Sequence, residues 1–276
     1  MLRQLFTAVT AAGMLGTSPA PQTVGQPSND YLTQAPPLAA KLQQYLDQVT
    51  ADQTISVSFT NLAPIKDGPR TIAPKGLTID ANGDARVVAA STYKLFVAAH
   101  WFAGCQESGY RWSDPVSDGF DRMVLNSEND FSEAYLKAQG KDNVNQFLQQ
   151  RAIAPVFSPE LPAQTTTNDL RHLLVDLAEA NGPFEDNVNR IHLLALMQQQ
   201  VYRRGIPAGV QAVTPNAIVQ DKVGFLGDQN NDAAIITTPT QKYVLVIATR
   251  GHHQQPLDFD RTQAVAQQVA RIVSGG

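Results

Sequence analysis

The sequence has a single cysteine, Cys105, two tryptophans and 7% aromatic residues in 276 positions. One cysteine forms no internal disulfide, and its mid-chain place excludes a lipid-anchored N-terminal cysteine. Cys105 is expected to be a buried structural thiol. Charge is sparse as well: 17% of residues are charged and the net charge is -4. No basic block is present, and Arg203–Arg204 is an isolated pair, so no nucleic-acid partner is expected. Metal-ligand clusters are lacking too. His252–His253 stand together without a cysteine or carboxylate cluster and read as a solvated loop, so no metal and no cofactor are expected. What the chain does have is 43% hydrophobic residues, enough for one large domain or two closely packed lobes.

The N-terminus carries Arg3, an apolar stretch over residues 5–15 and the small-residue run Ser18-Pro19-Ala20. This is the layout of a secretory signal peptide over residues 1–20, cleaved somewhere between Thr17 and Gln22. The apolar part is shorter than the roughly 20 residues needed to span a bilayer. An uncleaved anchor is the alternative. Residues 21–37 are rich in Pro, Gln, Ser and Thr and read as a flexible tether to a domain over residues 38–276. The expected product is secreted or periplasmic, with no membrane contact beyond the export signal, and monomeric.

Helical spacing of apolar residues predicts helices over 38–49, 130–137, 144–153, 168–180, 187–203 and 258–273, with Asn168 as a cap. Strands are predicted over 54–59, 217–225, 233–238 and 243–249. Asp80-Ala81-Asn82-Gly83 lies between two strand-like runs and predicts a hairpin. Strands and a helix at both ends, with helices between, imply an α/β (α+β) fold. One antiparallel sheet is then built from both termini and flanked by helices, with an inserted all-helical lobe.

The centre of this plan is residues 89–105, AASTYKLFVAAHWFAGC, a helix apolar nearly all round and therefore buried. His100 and Trp101 are expected to pack there. Ser91 and Lys94 stand one turn apart on one face. Desolvation lowers a lysine pKa, and a neutral amine can take the proton of a neighbouring hydroxyl. First-turn N–H groups can hold an oxyanion, so the pair reads as an activated serine nucleophile. A snorkelling surface lysine is the bland alternative.

Two more patterns follow in order: Ser127-Glu128-Asn129, and Lys222-Val223-Gly224 after Asp221. With Ser91 and Lys94 they resemble the three signature elements of the penicillin-recognising serine enzymes: Ser-x-x-Lys, Ser-Asp-Asn and Lys-Thr-Gly. This group includes the class A β-lactamases and the D,D-peptidases. RRGIPAGV (203–210), QDKVGFLG (220–227), NDAAII (231–236) and Thr165-Thr166-Thr167 also look like class A segments. The resemblance spans most of residues 38–273. It implies the β-lactamase/transpeptidase-like fold and a small-molecule or cell-wall-peptide substrate. It also implies roles. Ser91 attacks, Lys94 is the acylation base, Ser127 protonates the leaving nitrogen, and Lys222 supports it and attracts a carboxylate. Asn129 binds the substrate amide, the N–H groups of Ser91 and Phe225 form the oxyanion hole, and Gly224 admits substrate beside the strand.

The chain departs from the pattern in three places. Val223 replaces the hydroxyl residue of the third motif, costing a carboxylate about 1.5–3 kcal/mol of hydrogen bonding. Glu128 replaces Asp, and a solvated loop side chain is expected. Aligning Pro159-Glu160-Leu161 with the class A loop puts Ser158 where the deacylation Glu belongs and Pro162 where its Asn belongs. Glu160 serves only if the loop folds differently; otherwise the acyl-enzyme should persist. Arg261 reads as a surface arginine, with a second substrate cation as the alternative, and Asp221 as an orienting group. An exported serine hydrolase acting on β-lactams or related amides and esters is the leading reading. The alternative is a D,D-peptidase-like or non-catalytic module binding cell-wall peptide.

Overall fold

The computed structural model describes residues 37–67, 70–252 and 254–275. The expected signal peptide, nearly all of the tether, and His253 lie outside them. The first helix, α1 (Pro37–Val49), leads into β1 (Ile55–Asn61), a small hairpin of β2 (Ile65–Asp67) and β3 (Arg70–Ala73), and β4 (Thr78–Ala81). After β5 (Val87–Val88) come a 3₁₀ turn (Ala90–Tyr93) and α2 (Lys94–Glu107). The helical lobe continues with α3 (Asp114–Leu125), α4 (Asp130–Gln139) and α5 (Lys141–Gln149). Then follow β6 (Gln164–Thr165), α6 (Thr167–Glu179) and α7 (Asn187–Gln199). The chain returns through α8 (Ile206–Gln211) to β7 (Ile218–Leu226), β8 (Gln229–Thr237), β9 (Lys242–Thr249) and α9 (Asp260–Val273).

The main sheet has the order β4-β1-β9-β8-β7 and is antiparallel throughout, so both ends of the chain build it, as the pattern predicts. Its strands alternate between two cores. Ala233, Ile235, Val244 and Val246 face the helical lobe, where Phe96, Phe102, Phe120 and Leu174 pack. Ala234, Ile236, Leu245 and Ile247 face Leu42, Val210 and Val269 on α1, α8 and α9. Coverage on both faces explains why β9 reads as a continuous apolar run. The α2 helix is buried from Lys94 to Gly104, in keeping with its lack of a polar stripe.

Several local expectations are corrected. The Asn82-Gly83 turn joins no hairpin, because β4 pairs with β1 and β5 pairs with β6. The turn is diverted by its own side chains. Asp80 accepts from the Gly83 N–H, and Asn82 adopts φ 56° and donates to the Thr50 and Ile55 carbonyls. Thr166, not Asn168, caps α6 by accepting from the Asp169 N–H; Asn168 instead bonds Ser58 and Asp84. The α7 helix ends at Gln199, short of Arg203. The helix α3 is not among the helices predicted from sequence, although Val116, Phe120, Met123 and Val124 fall at helical spacing on its buried face around Gly119. The Phe131 ring lies 3.3 Å from where a Cβ at Gly119 would sit, so close packing explains the glycine.

Candidate active site

The nucleophile turn is held from two sides. The Ala89 N–H donates to the Ala163 carbonyl at 2.8 Å. Asn231 on β8 donates to the Val88 and Ala89 carbonyls at 2.8 and 3.1 Å. Ala90 takes φ 44°, a left-handed conformation that a non-glycine residue holds only when its surroundings enforce it. Ser91 therefore sits in a 3₁₀ turn just before α2, not inside a regular helix as the spacing suggests. Asn231 carries no catalytic signature of its own in the sequence. Its position on β8 opposite Gly224 explains its reach.

Lys94 begins α2 and is 1% exposed. Its Nζ lies 3.0 Å from Ser91 Oγ, 2.5 Å from the Ser127 carbonyl and 2.7 Å from Asn129 Oδ1. Two of these three partners only accept. A neutral amine has two N–H bonds for them, which leaves its lone pair for the Ser91 hydroxyl. Burial pushes the Lys94 pKa down to about 8, with Glu133 and Glu128 opposing. Ser127 also adopts a left-handed φ, 62°, which presents its carbonyl to Lys94 while its Oγ accepts from Lys222 Nζ at 2.8 Å. Lys222 is fully buried on β7 and donates to the Val223 carbonyl as well, at 2.9 Å. Burial, then the Lys94 charge, lowers its pKa to about 7.

Behind Lys222 the strand is anchored by buried polar groups. Asp221 Oδ1 accepts from Arg203 at 2.6 Å, and Gln200 donates to Asp221. Asp232 accepts from the Ile206 N–H at 2.7 Å. Burial raises the pKa of both carboxyls. Asp221 thus orients β7, as expected. Gly224 faces the nucleophile turn. A Cβ there would lie 2.7 Å from Ser91 N and 2.8 Å from the Ala89 carbonyl. Gly224→Ala must therefore push strand and turn apart. Acylation should fall about tenfold or more, since misplacement by ~1 Å can cost ~10² in rate. Stopped-flow acylation, with circular dichroism to confirm the fold, checks this.

Six residues singled out from sequence thus converge: Ser91, Lys94, Ser127, Asn129, Lys222 and Gly224; the Phe225 ring packs against Tyr202 and Phe259. Other residues lie elsewhere. Glu128 pairs with Arg122 at 3.2 Å, half exposed. Ser158 caps its own loop by accepting from the Glu160 and Leu161 N–H groups. Glu160 is exposed, and among the described residues no carboxylate bonds Ser91, Lys94 or Ser127. Arg261 joins the Arg250 carbonyl and Thr54 at the end of the sheet, away from the reacting groups. His252 is corrected from solvated to buried: its Nε2 lies 2.8 Å from Thr249 Oγ1 and its Nδ1 3.6 Å from Asp258. The neighbouring cavity of about 500 Å³, lined by Arg204, His252, Leu257 and Arg261, holds none of the converging residues. His100 packs in the core against Tyr135, and burial lowers its pKa to about 4. Cys105 is half-buried and unpaired rather than fully buried.

A model of the beta-lactamase enzyme family matches residues 115–275. The chain belongs to that family. The match begins after Ser91 and Lys94, so the structure is what joins those two to the family's later motifs. The fold is also that of solved relatives. PBP-A aligns with TM-score 0.72 at 19% identity, covering 86% of this chain and 97% of its own. A mutant of PBP-A, solved as its acyl-enzyme complex with penicillin G, aligns with TM-score 0.72 at 20% identity over the same shares. A beta-lactamase from Desulfarculus baarsii aligns with TM-score 0.66 at 20% identity, covering 84% and 97%. No curated protein matches the chain. As a member of this family the chain carries a β-lactamase-like serine hydrolase fold.

Proposed function

We propose that the chain is an exported, monomeric serine hydrolase acylated at Ser91 by β-lactams or related amides and esters. The observation that carries this reading is the Lys94 amine, buried and 3.0 Å from Ser91 Oγ, with acceptors engaging its other N–H bonds. Neutral Lys94 takes the Ser91 proton as Oγ attacks the acyl carbon. The Ser91 and Phe225 N–H groups hold the oxyanion. As the carbon–nitrogen bond breaks, Ser127 passes its proton to the nitrogen and regains one from Lys222. The charge has then moved from Lys222 to Lys94, and the proton count balances.

This step needs one amine neutral and the other charged. The two titrate as a pair, near 7 and 8, so acylation should follow a bell-shaped pH profile with limbs near those values. Below the first limb both amines are charged and no base remains. Above the second neither carries the proton for the leaving group. Stopped-flow acylation from pH 5.5 to 9.5 measures the profile, and a rate flat across it would refute the two-lysine scheme.

A fluorescent penicillin should label the wild type covalently and leave Ser91→Ala unlabelled. Absence of wild-type label would remove the reading. Val223 motivates the second one, a non-catalytic module for cell-wall peptide. Binding of peptidoglycan fragments by wild type and Ser91→Ala alike, with no label on either, would favour it.

A further inference from the structure

The two N–H groups of the oxyanion hole come from different elements, Ser91 from the nucleophile turn and Phe225 from β7. Along β7, an edge strand, residues bonded to β8 alternate with residues whose backbone faces outward. The Val219, Asp221 and Val223 carbonyls accept from the side chains of Arg203, Gln200 and Lys222 at 2.9, 2.8 and 2.9 Å, so these three face outward. Phe225 is next in that alternation and presents its N–H on the same open edge. The gap between this N–H and that of Ser91 depends on how the turn is fixed to the sheet.

Asn231 joins the turn to the main sheet. It stands opposite Gly224 on β8, is fully buried, and directs its Nδ2 donors to the Val88 and Ala89 carbonyls. Its Oδ1 accepts from Gln229 Nε2 at 3.1 Å, and that Nε2 also donates to the Thr249 carbonyl at 2.9 Å. The amide is thus oriented with its donors toward the turn. Gly224 supplies the room, since a Cβ there would lie 2.7 Å from Ser91 N and 2.8 Å from Thr92 N. Between Ala89 and Ser91 the chain passes through Ala90 at φ 44°, which the surroundings must enforce. Thr92 bonds the Ala89 carbonyl through its N–H and Oγ1, but these bonds stay inside the turn and leave its distance from β7 unset.

Building on acylation at Ser91, we propose that Asn231 is a positioning residue that sets the width of the oxyanion hole, by holding the strained nucleophile turn against β8. It touches no reacting atom. The backbone ladder of β8 places β7, and the Asn231 side chain of β8 places the turn, so one strand aligns both N–H groups.

The test compares the wild type with Asn231→Leu, which keeps the volume and loses the donors, and with Gln229→Met, which keeps Asn231 but frees its amide. Stopped-flow acylation by a fluorescent penicillin should fall about 10²-fold or more in Asn231→Leu, the worth of one oxyanion donor or of ~1 Å of misplacement. In Gln229→Met it should fall about three- to tenfold. Phenylboronic acid reports the hole directly. Ser91 Oγ adds to boron, the Ser91 proton passes to Lys94, no group leaves, and an oxygen of the anionic tetrahedral boronate takes the oxyanion place. Its affinity should fall in the same proportion as the acylation rate. Penicillin G binding to Ser91→Ala, with and without Asn231→Leu, should agree within about fivefold by calorimetry, because the tetrahedral state makes the greater demand on the hole; a collapsed cleft would lose both. Hydrogen exchange over residues 88–93 should quicken about tenfold or more in Asn231→Leu as the turn loosens. If neither penicillin nor the boronate reacts with the wild type, acylation at Ser91 fails, and the exchange rate alone upholds or overturns the positioning. If Asn231→Leu does not fold, Gln229→Met decides, and a wild-type rate in it counts against the proposal. Acylation by Asn231→Leu within threefold of wild type, ground-state binding lost in step with acylation, or unchanged exchange over 88–93 overturns it.

Discussion

Lys94→Met should slow acylation of Ser91 by about 10²- to 10⁴-fold, the range that a positioned general base supplies. Methionine keeps most of the buried volume but has no lone pair of comparable basicity. The Ser127 carbonyl and Asn129 Oδ1 lose their donor, while an expensive buried amine is also removed. These effects on stability oppose each other, so folding should survive. Melting by circular dichroism checks that point, and stopped-flow labelling with a fluorescent penicillin gives the rate. The acid limb of the pH profile, below which no base remains, should vanish with the amine. A rate within threefold of wild type would mean that another group accepts the Ser91 proton.

The second large effect concerns the step after acylation. Incubation with a chromogenic cephalosporin should release about one equivalent of product and then stop, with a stoichiometric adduct visible by intact mass. The physical ground is the surroundings of Ser91. Lys94 is its basic neighbour, and it is protonated once acylation is complete. Among the described residues no carboxylate hydrogen-bonds Ser91, Lys94 or Ser127. Ser158 uses its hydroxyl to cap a turn, and the Ser158 carbonyl accepts from Lys141. Phe157, the residue before it, packs edge-on against Tyr93 with ring centroids 5.8 Å apart, so the loop stays next to the nucleophile turn. Ser158→Glu places a carboxylate in that loop and should raise steady-state turnover by about 10²-fold or more. Sustained turnover by the wild type would show that Glu160 or another group already does this work. An unchanged Ser158→Glu would show that the loop holds position 158 out of reach.

Much of this protein is decided locally and can be read without coordinates. The apolar run of α2 fixed its burial, and the Ser91–Lys94 spacing fixed their shared face, because helical geometry is short-range. The order of the three motifs, with the strand and helix periodicities around them, carried the architecture. The Asn82-Gly83 hairpin misled because a turn signal says nothing about which strand its arms will join. β4 finds β1, and β5 finds β6, only when the lobes close. His252 misled for a similar reason: its burial comes from Thr249 and the loop carrying Asp258.

Tertiary structure alone decided the protonation chemistry. A lysine is an ordinary ammonium until neighbours strip its water. For Lys94 and Lys222 those neighbours come from elements as distant in sequence as α2, the Ser127 turn and β7. The same holds for Asn231 reaching the Ala89 carbonyl. Residue types and spacings set which groups were present. Long-range packing set their distances and hydration, and those quantities determine which amine can act as a base.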